Sequence, residues 1–395
     1  MRTLSPLDKL KILGEGAKYD VCASTATRVQ KPGKWNIGAA SPSGVCHSFT
    51  PDGRCISLFK VLLTNYCVKD CAYCPNRADR DVARTKFAPA ELAGLFMDFY
   101  RRNYVEGLFL SSGVSHSTSR TMSEMLQVAE ILRSQYKFGG YIHLKILPGA
   151  TDVDVAAAMG FANRVSLNME APSAVHLAKL SQTKNFAGEI LDGMAKIHKH
   201  LHNQPGVSHS TQYIVGAAQE ADRDILQSVT NLYSQYNLKR AYFSAFQPVD
   251  GTPLATIGQT PLIRENRLYQ SDFLLRNYGF RYHDLIFSHD GNLDPELDPK
   301  LAYALHHPEI FPLEINKASY NQLLKVPGLG PRSATKIVRV RREYRFSQPA
   351  ELKNAGIVLK RALSFITIDG RFYGDKAKLT KPCRQNYTQL TLSWN

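Results

Sequence analysis

From Cys55 to about Pro312 the chain alternates short apolar runs with longer amphipathic ones, and that alternation leaves few architectures open. The strand-like runs are 56–63, 107–111, 141–147, 164–169, 211–216 and 241–246. Helical spacing fills intervals at 92–100, 122–136, 190–200, 222–236 and 264–278. Consecutive strands separated by helix-length segments predict a parallel sheet covered by helices. Such a sheet either stays open and doubly wound or closes toward a barrel.

The first strand-like run leads directly into Cys67-Val-Lys-Asp-Cys71-Ala-Tyr73-Cys74. A 4Fe–4S cluster is usually held by four thiolates. Three on one loop leave one iron without a protein ligand, a place for a small molecule to bind and be reduced. The alternative is half of a zinc site, since zinc also takes thiolates in closely spaced pairs. That would need a second Cys or His pair, and none follows compactly; the single His116 is a poor substitute.

The pattern Cys-x3-Cys-x-aromatic-Cys, with Tyr73 as the aromatic, resembles the signature of the radical S-adenosylmethionine (SAM) superfamily. The resemblance implies an α/β fold, a partial (β/α)6 TIM-like barrel over residues 55–312. The cysteine loop would sit at the C-terminal rim, where α/β barrels place active sites. It further implies a 4Fe–4S cluster on Cys67, Cys71 and Cys74, with SAM bound to the open iron through its amino and carboxylate groups. An electron from the cluster then breaks the S–C5′ bond, giving methionine and a 5′-deoxyadenosyl radical. An electron donor such as flavodoxin or ferredoxin is the expected partner.

Within that frame the strand ends supply candidate cofactor contacts. Ser111-Ser112-Gly113 stands where the superfamily often has Gly-Gly-Glu beside the methionine amino group. The glutamate is absent here, leaving small side chains and backbone. Asn168 and Glu170 end the fourth strand and suit ribose hydroxyls or the methionine ammonium. Gln212 to Glu220 resembles the adenine-binding Gly-x-Ile-x-Gly-x-x-Glu run through Ile214 and Gly216, with Gln212 replacing the first glycine and the acid displaced by one position. Strand caps and turn formers would account for the same residues. His143 and Lys145 lie in the third run, where one of them could point inward. Phe246 to Pro253 resembles the Gly-Thr-Pro run of several radical enzymes, although a turn explains it equally well.

Charge marks a second region. The formal net charge is +15, and from Asn316 onward there are 16 Lys and Arg against 4 Asp and Glu, so most of the excess lies at this end. A near-neutral body with a basic tail points to a docked polyanion. The tail holds Lys325-Val-Pro-Gly328-Leu-Gly330-Pro-Arg332 between two short helical stretches, about 317–324 and from about 332. This resembles the helix-hairpin-helix motif of DNA repair and recombination proteins. The glycines let the backbone turn tightly and approach another surface, and the N-terminus of the second helix suits a phosphate oxygen. Lys325, Arg332, Lys336 and Arg339 add charge along that edge, positioning a duplex without reading its sequence. Leu352 to Ala362, with Gly356 at its turn, reads as a degenerate second copy, and the whole forms a small all-α domain over 313–395.

The remaining cysteines give looser signals. Cys22, Cys46 and Cys55 read as buried inert thiols, with a second cluster or a hydrogen-atom donor as alternatives; Cys383 reads as incidental. Residues 1–54, rich in Gly, Ser, Pro and Lys between Tyr19 and Thr50, read as an irregular cover for the barrel mouth. With no long apolar run and no secretory signal, the chain reads as cytoplasmic, with no membrane partner. Both motifs in this order resemble radical SAM proteins associated with DNA modification or repair, some working beside a glycosylase-like protein. That implies a radical enzyme acting on double-stranded DNA. The alternatives are a radical enzyme modifying structured RNA such as tRNA, or a DNA-binding protein whose cluster is structural or redox-sensing.

Overall fold

The computed structural model describes residues 4–17, 45–49 and 55–375. They fall into two compact units: one takes in the residues up to Glu220 together with Gln227–Glu265, the other Ala221–Leu226 and the residues from Asn266 onward. The division falls earlier in the chain than the charge step near residue 315.

The first unit contains a seven-stranded sheet in chain order, β1 (Val45–Phe49), β2 (Cys55–Leu62), β3 (Gly107–Ser111), β4 (Tyr141–Lys145), β5 (Arg164–Ser166), β6 (Ser208–Val215) and β7 (Arg240–Ala245). β2 to β7 are parallel, each hydrogen-bonded to the next, and curl into a half-barrel. All six expected strands are present, and each connection carries helix. These include α2 (Pro89–Arg101), α3 (Thr118–Glu130), α4 (Asp152–Phe161), α5 (Ala174–Leu180) and α6 (Asp192–Leu201); α7 (Asp222–Tyr236) and α8 (Leu262–Asn277) cross the division between units.

Alternation along the strands sorts the side chains. Val61, Leu110, Leu144, Val165, Tyr213 and Phe243 are almost wholly buried, as expected where helices cover a parallel sheet. The intervening positions Ser111, Lys145, Gln212 and Ser244 line a cavity. A TIM-barrel interior is usually packed with branched aliphatics. A polar one is a cost, and it lies where the cysteine loop begins.

Of the segment expected to be an irregular cover, residues 18–44 and 50–54 lie outside the described residues, and the described parts are regular. Pro6–Ala17 is helical (α1), with Leu10 and Leu13 buried. β1 pairs antiparallel with β2 from Val45↔Phe59 to Phe49↔Cys55. The edge of β2 offers unpaired backbone groups, and a β-capable run nearby satisfies them. Cys55 is exposed rather than buried, so the inert-core reading does not hold for it. Cys46 is disulfide-bonded. Cys22 and Cys383 lie outside the described residues.

The second unit is helical, with one addition to the all-α expectation. Its helices are α9 (Pro299–His306), α10 (Tyr320–Lys325), α11 (Pro331–Val340), α12 (Pro349–Lys353) and α13 (Leu359–Ala362). A short sheet, β8 (Leu313–Glu314), β9 (Ile366–Ile368) and β10 (Arg371–Phe372), ties the two ends of the hairpin segment together. The Glu314 carboxylate holds it, accepting from Thr367 Oγ1 at 2.9 Å and from the amides of Gly370 at 2.9 Å and Asn316 at 3.1 Å. Among the described residues no helix is long and apolar enough to cross a membrane.

Candidate functional site

The loop after β2 carries the three cysteines and is held in large part by the residues around them. The Arg84 guanidinium donates to four carbonyl oxygens, those of Asn65, Asn76 (2.8 Å), Arg77 (2.6 Å) and Arg80 (2.9 Å). Asp70 accepts from Ser181 Oγ at 2.5 Å, Thr183 Oγ1 at 2.7 Å and the Gln182 amide at 3.0 Å. Burial alone would raise the Asp70 pKa, but those hydroxyl and amide donors hold it down at about 2. Lys69 adds an ion pair with Glu189 at 2.9 Å. On the other side the Gly113 amide donates to Thr64 O, and the Val68 amide to Val114 O, both at 2.8 Å. A Cβ on Gly113 would stand 2.5 Å from Tyr66 O and 3.2 Å from Cys67 Cβ, so only glycine permits this approach.

Cys67, Cys71, Tyr73, Cys74, Ser111, Ser112, Gly113, Asn168, Glu170 and Ile214 all line one cavity. Gly216 is not among its lining residues. It occupies the left-handed region (φ +91°), and a Cβ there would meet Thr260 Oγ1 at 2.1 Å. Glu220, the displaced acid of that run, turns onto its own backbone. It accepts from the amides of Gly216 and of Ala218 (3.1 Å), so it shapes the turn and does not line the cavity.

Two side chains join the site that sequence reasoning missed or left open, Lys184 and Lys145. Lys184 is buried and donates to Glu170 Oε1 at 3.1 Å, with side-chain exposures of 7% for both partners. Burial pulls its pKa down, but the nearby Cys71 and the Glu170 carboxylate more than offset this and keep it charged. Glu170 itself has φ +64°, while its Oε2 is buried without a hydrogen-bond partner. A buried carboxylate oxygen left open is costly unless a ligand fills the position. Lys184 carries no motif; its place depends on the loop that Asp70 anchors. Lys145 lines the cavity and donates to Asn168 Oδ1 at 2.7 Å. His143, on the same face of β4, stacks on Phe109 at 4.2 Å and bonds Ser166 Oγ at 2.8 Å. It does not line the cavity.

The donor set suits an iron–sulfur cluster. Burial pushes the Cys71 and Cys74 thiols up, so metal binding here must displace protons. Among the described residues no three His, Cys, Asp or Glu side chains converge as ligands of a single ion. A cubane instead takes each thiolate on a different iron. With Glu170 open and small residues at the β3 exit, the cavity has room and polarity for an amino-acid headgroup beside the thiols.

In the second unit, α10, the turn Val326–Gly330 and α11 form a helical hairpin, and α12 and α13 a second, shorter one. The two turns interlock. The Val358 amide donates to Gly328 O at 3.1 Å, and Ser333 Oγ to Gly356 O at 2.9 Å. Gly328 and Gly356 both have positive φ, and a Cβ on Gly328 would lie 2.8 Å from Val358 O. Arg332, Lys336 and Arg339 share the exposed face of α11, opposite buried Ala334 and Ile337. Lys325 is placed differently from the expectation of a phosphate contact. Its ammonium pairs with Asp284 at 2.7 Å and lies 3.6 Å from the Phe280 ring centre, so its charge is engaged inside the unit. Gly330 is the N-cap and Pro331 opens α11, and among the described residues no side chain caps this helix N-terminus.

Comparison with known proteins agrees with both halves of this picture. Residues 61–230 match the Radical SAM superfamily, and residues 312–358 match the helix-hairpin-helix motif. The chain thus carries a domain of the radical SAM enzymes followed by a helix-hairpin-helix motif. The cofactors of that superfamily are a 4Fe–4S cluster and SAM. No curated protein matches the sequence. Similar solved structures include methylornithine synthase (PylB), at 15% identity and a TM-score of 0.45, covering 54% of this chain and 60% of that one. The hydrogenase maturase HydG from Carboxydothermus hydrogenoformans has 13% identity and a TM-score of 0.44, covering 54% and 50%. A radical SAM methyltransferase from Sphaerobacter thermophilus has 14% and 0.44, covering 57% and 68%. The chain spans about half to two thirds of the length of these structures.

Proposed function

We propose that this chain is a cytoplasmic radical SAM enzyme that modifies or repairs DNA, held as a duplex by the hairpin unit. The observation that carries the reading is the pairing of a three-cysteine cavity with a separate basic hairpin pair in one chain. Cys67, Cys71 and Cys74 would hold the cluster. Glu170 and Asn168 would take the ammonium and ribose of SAM, Ser111 to Gly113 the methionine end, and Ile214 the adenine. Lys184 supplies a fixed positive charge beside the cluster thiols. When bound, the cluster and SAM supply a 5′-deoxyadenosyl radical able to remove hydrogen from an unactivated carbon.

On the hairpin side the phosphate contacts would come from the Gly328–Gly330 turn with Arg332, Lys336 and Arg339, while Lys325 braces the scaffold. Such contacts release counterions, so affinity should fall steeply with salt. Reaching an atom of a base calls for extruding the nucleotide, at about a few kcal/mol. A flavodoxin or ferredoxin would supply the electron, and a glycosylase-like protein would be the companion in repair.

The test is anaerobic reconstitution with iron, sulfide and SAM. The reduced protein is then incubated with duplex DNA or with tRNA, and the digested nucleosides are analysed by mass spectrometry. A mass change confined to DNA is the expected result. One confined to tRNA would move the chemistry to RNA. Absence of 5′-deoxyadenosine would leave only a nucleic-acid-binding protein.

A further inference from the structure

The turn of the first hairpin rests on a buried lysine. Lys300, on α9, is only 7% exposed. Its ammonium donates to the carbonyl oxygen of Leu329, inside the Pro-Gly-Leu-Gly turn, and lies 4.5 Å from the centre of the Tyr278 ring. The same tyrosine reaches the turn with its other end. A Cβ on Gly330 would stand 3.3 Å from its hydroxyl. Lysine and tyrosine therefore form a floor beneath the Leu329–Gly330 peptide.

That peptide is trans, and in a trans peptide the C=O and N–H point in opposite directions. Drawing the Leu329 carbonyl onto Lys300 turns the Gly330 N–H away from the floor. Among the described residues that N–H has no acceptor. A hydrogen bond from a charged donor also polarises the peptide and strengthens the N–H at its other side.

We propose that Lys300 is a positioning residue for phosphate recognition, setting the Leu329–Gly330 peptide so that its N–H faces a nucleic-acid phosphate. This rests on the nucleic-acid reading of the hairpin. Burial brings the Lys300 pKa down to about 7. The groups around it are Asp298 at the start of its own helix, Lys325 from α10, Arg361 from α13 and the Tyr278 ring from α8; the aspartate favours its charged form and the two cations oppose it. A phosphate over the turn favours the charged form as well. Binding therefore takes up a proton and weakens as pH rises through the region of about 7.

The experiment measures fluorescence anisotropy of a short labelled DNA duplex with the full chain, its K300M and K300R variants, across pH, with melting temperatures recorded alongside. Lys300→Met, which keeps the shape and removes the donor, should weaken binding about tenfold, the loss of one charge-assisted bond. Lys300→Arg should bind like the unmodified chain with a flattened pH profile, since its charge no longer titrates. A folded K300M that binds as tightly as the unmodified chain overturns the proposal and leaves the nucleic-acid reading standing. Should K300M fail to fold, K300R decides: a flattened profile supports the role of Lys300, and an unchanged one overturns it. If the unmodified chain does not bind duplex at all, the nucleic-acid reading falls and Lys300 loses its role with it.

Discussion

Two buried lysines mark the two working regions, and they are buried on different terms. Lys184, in the cysteine cavity, faces a carboxylate and a thiol and stays charged. Lys300, under the hairpin, faces a carbonyl and an aromatic ring, and burial brings its pKa to about 7. Lys184 has a carboxylate within hydrogen-bonding reach, whereas Lys300 donates to a carbonyl and draws on Asp298 only through space. The contrast is between a cation with a directly bonded counter-charge and one without.

The largest effect that would sharpen this separation is Cys71→Ala. It should abolish 5′-deoxyadenosine formation while duplex binding, read by anisotropy, stays near its original value. Loss of both together would show that the regions are not independent. Next comes Lys184→Met, which strands Glu170 as an uncompensated buried charge. Breaking one side of such a pair costs about 3–5 kcal/mol, measurable as a drop in the urea midpoint. Lys300→Met should cost less than that, and the difference should depend on pH. The unfolded lysine keeps its proton to about pH 10.4, while the folded one releases it near 7. The unfolded state thus binds more protons between those values, so the unmodified chain gains stability over K300M as pH rises from about 7, at about 1.4 kcal/mol per unit. A flat difference would break the comparison. The smallest effect is Lys336→Ala on the exposed face of α11, which should weaken binding of all duplex sequences alike and lower the salt slope by about one.

Much of this was legible in the chain because it rests on local pattern. The six strands follow from apolar runs such as Gly107–Ser111. The cysteine loop follows from spacing, and the hairpin from Pro-Gly-Leu-Gly, where Gly328 must take a positive φ. What sequence did not reveal depends on distant partners. β1 forms because the edge of β2 is open to it. Lys184 enters the cavity because Asp70 gathers the loop before it. Lys325 looks like a surface charge until Asp284 and Phe280 are seen around it. Glu220 fits a binding motif by position but folds back on its own amides.

The guanidinium of Arg84, shared among four carbonyls, has a bearing on how the cluster is assembled. A loop shaped by its own arginine is a mould that exists before the iron is poured. Stripped of metal, the protein should keep that shape and refill, whereas an Arg84→Met chain would have to find the shape and the iron together.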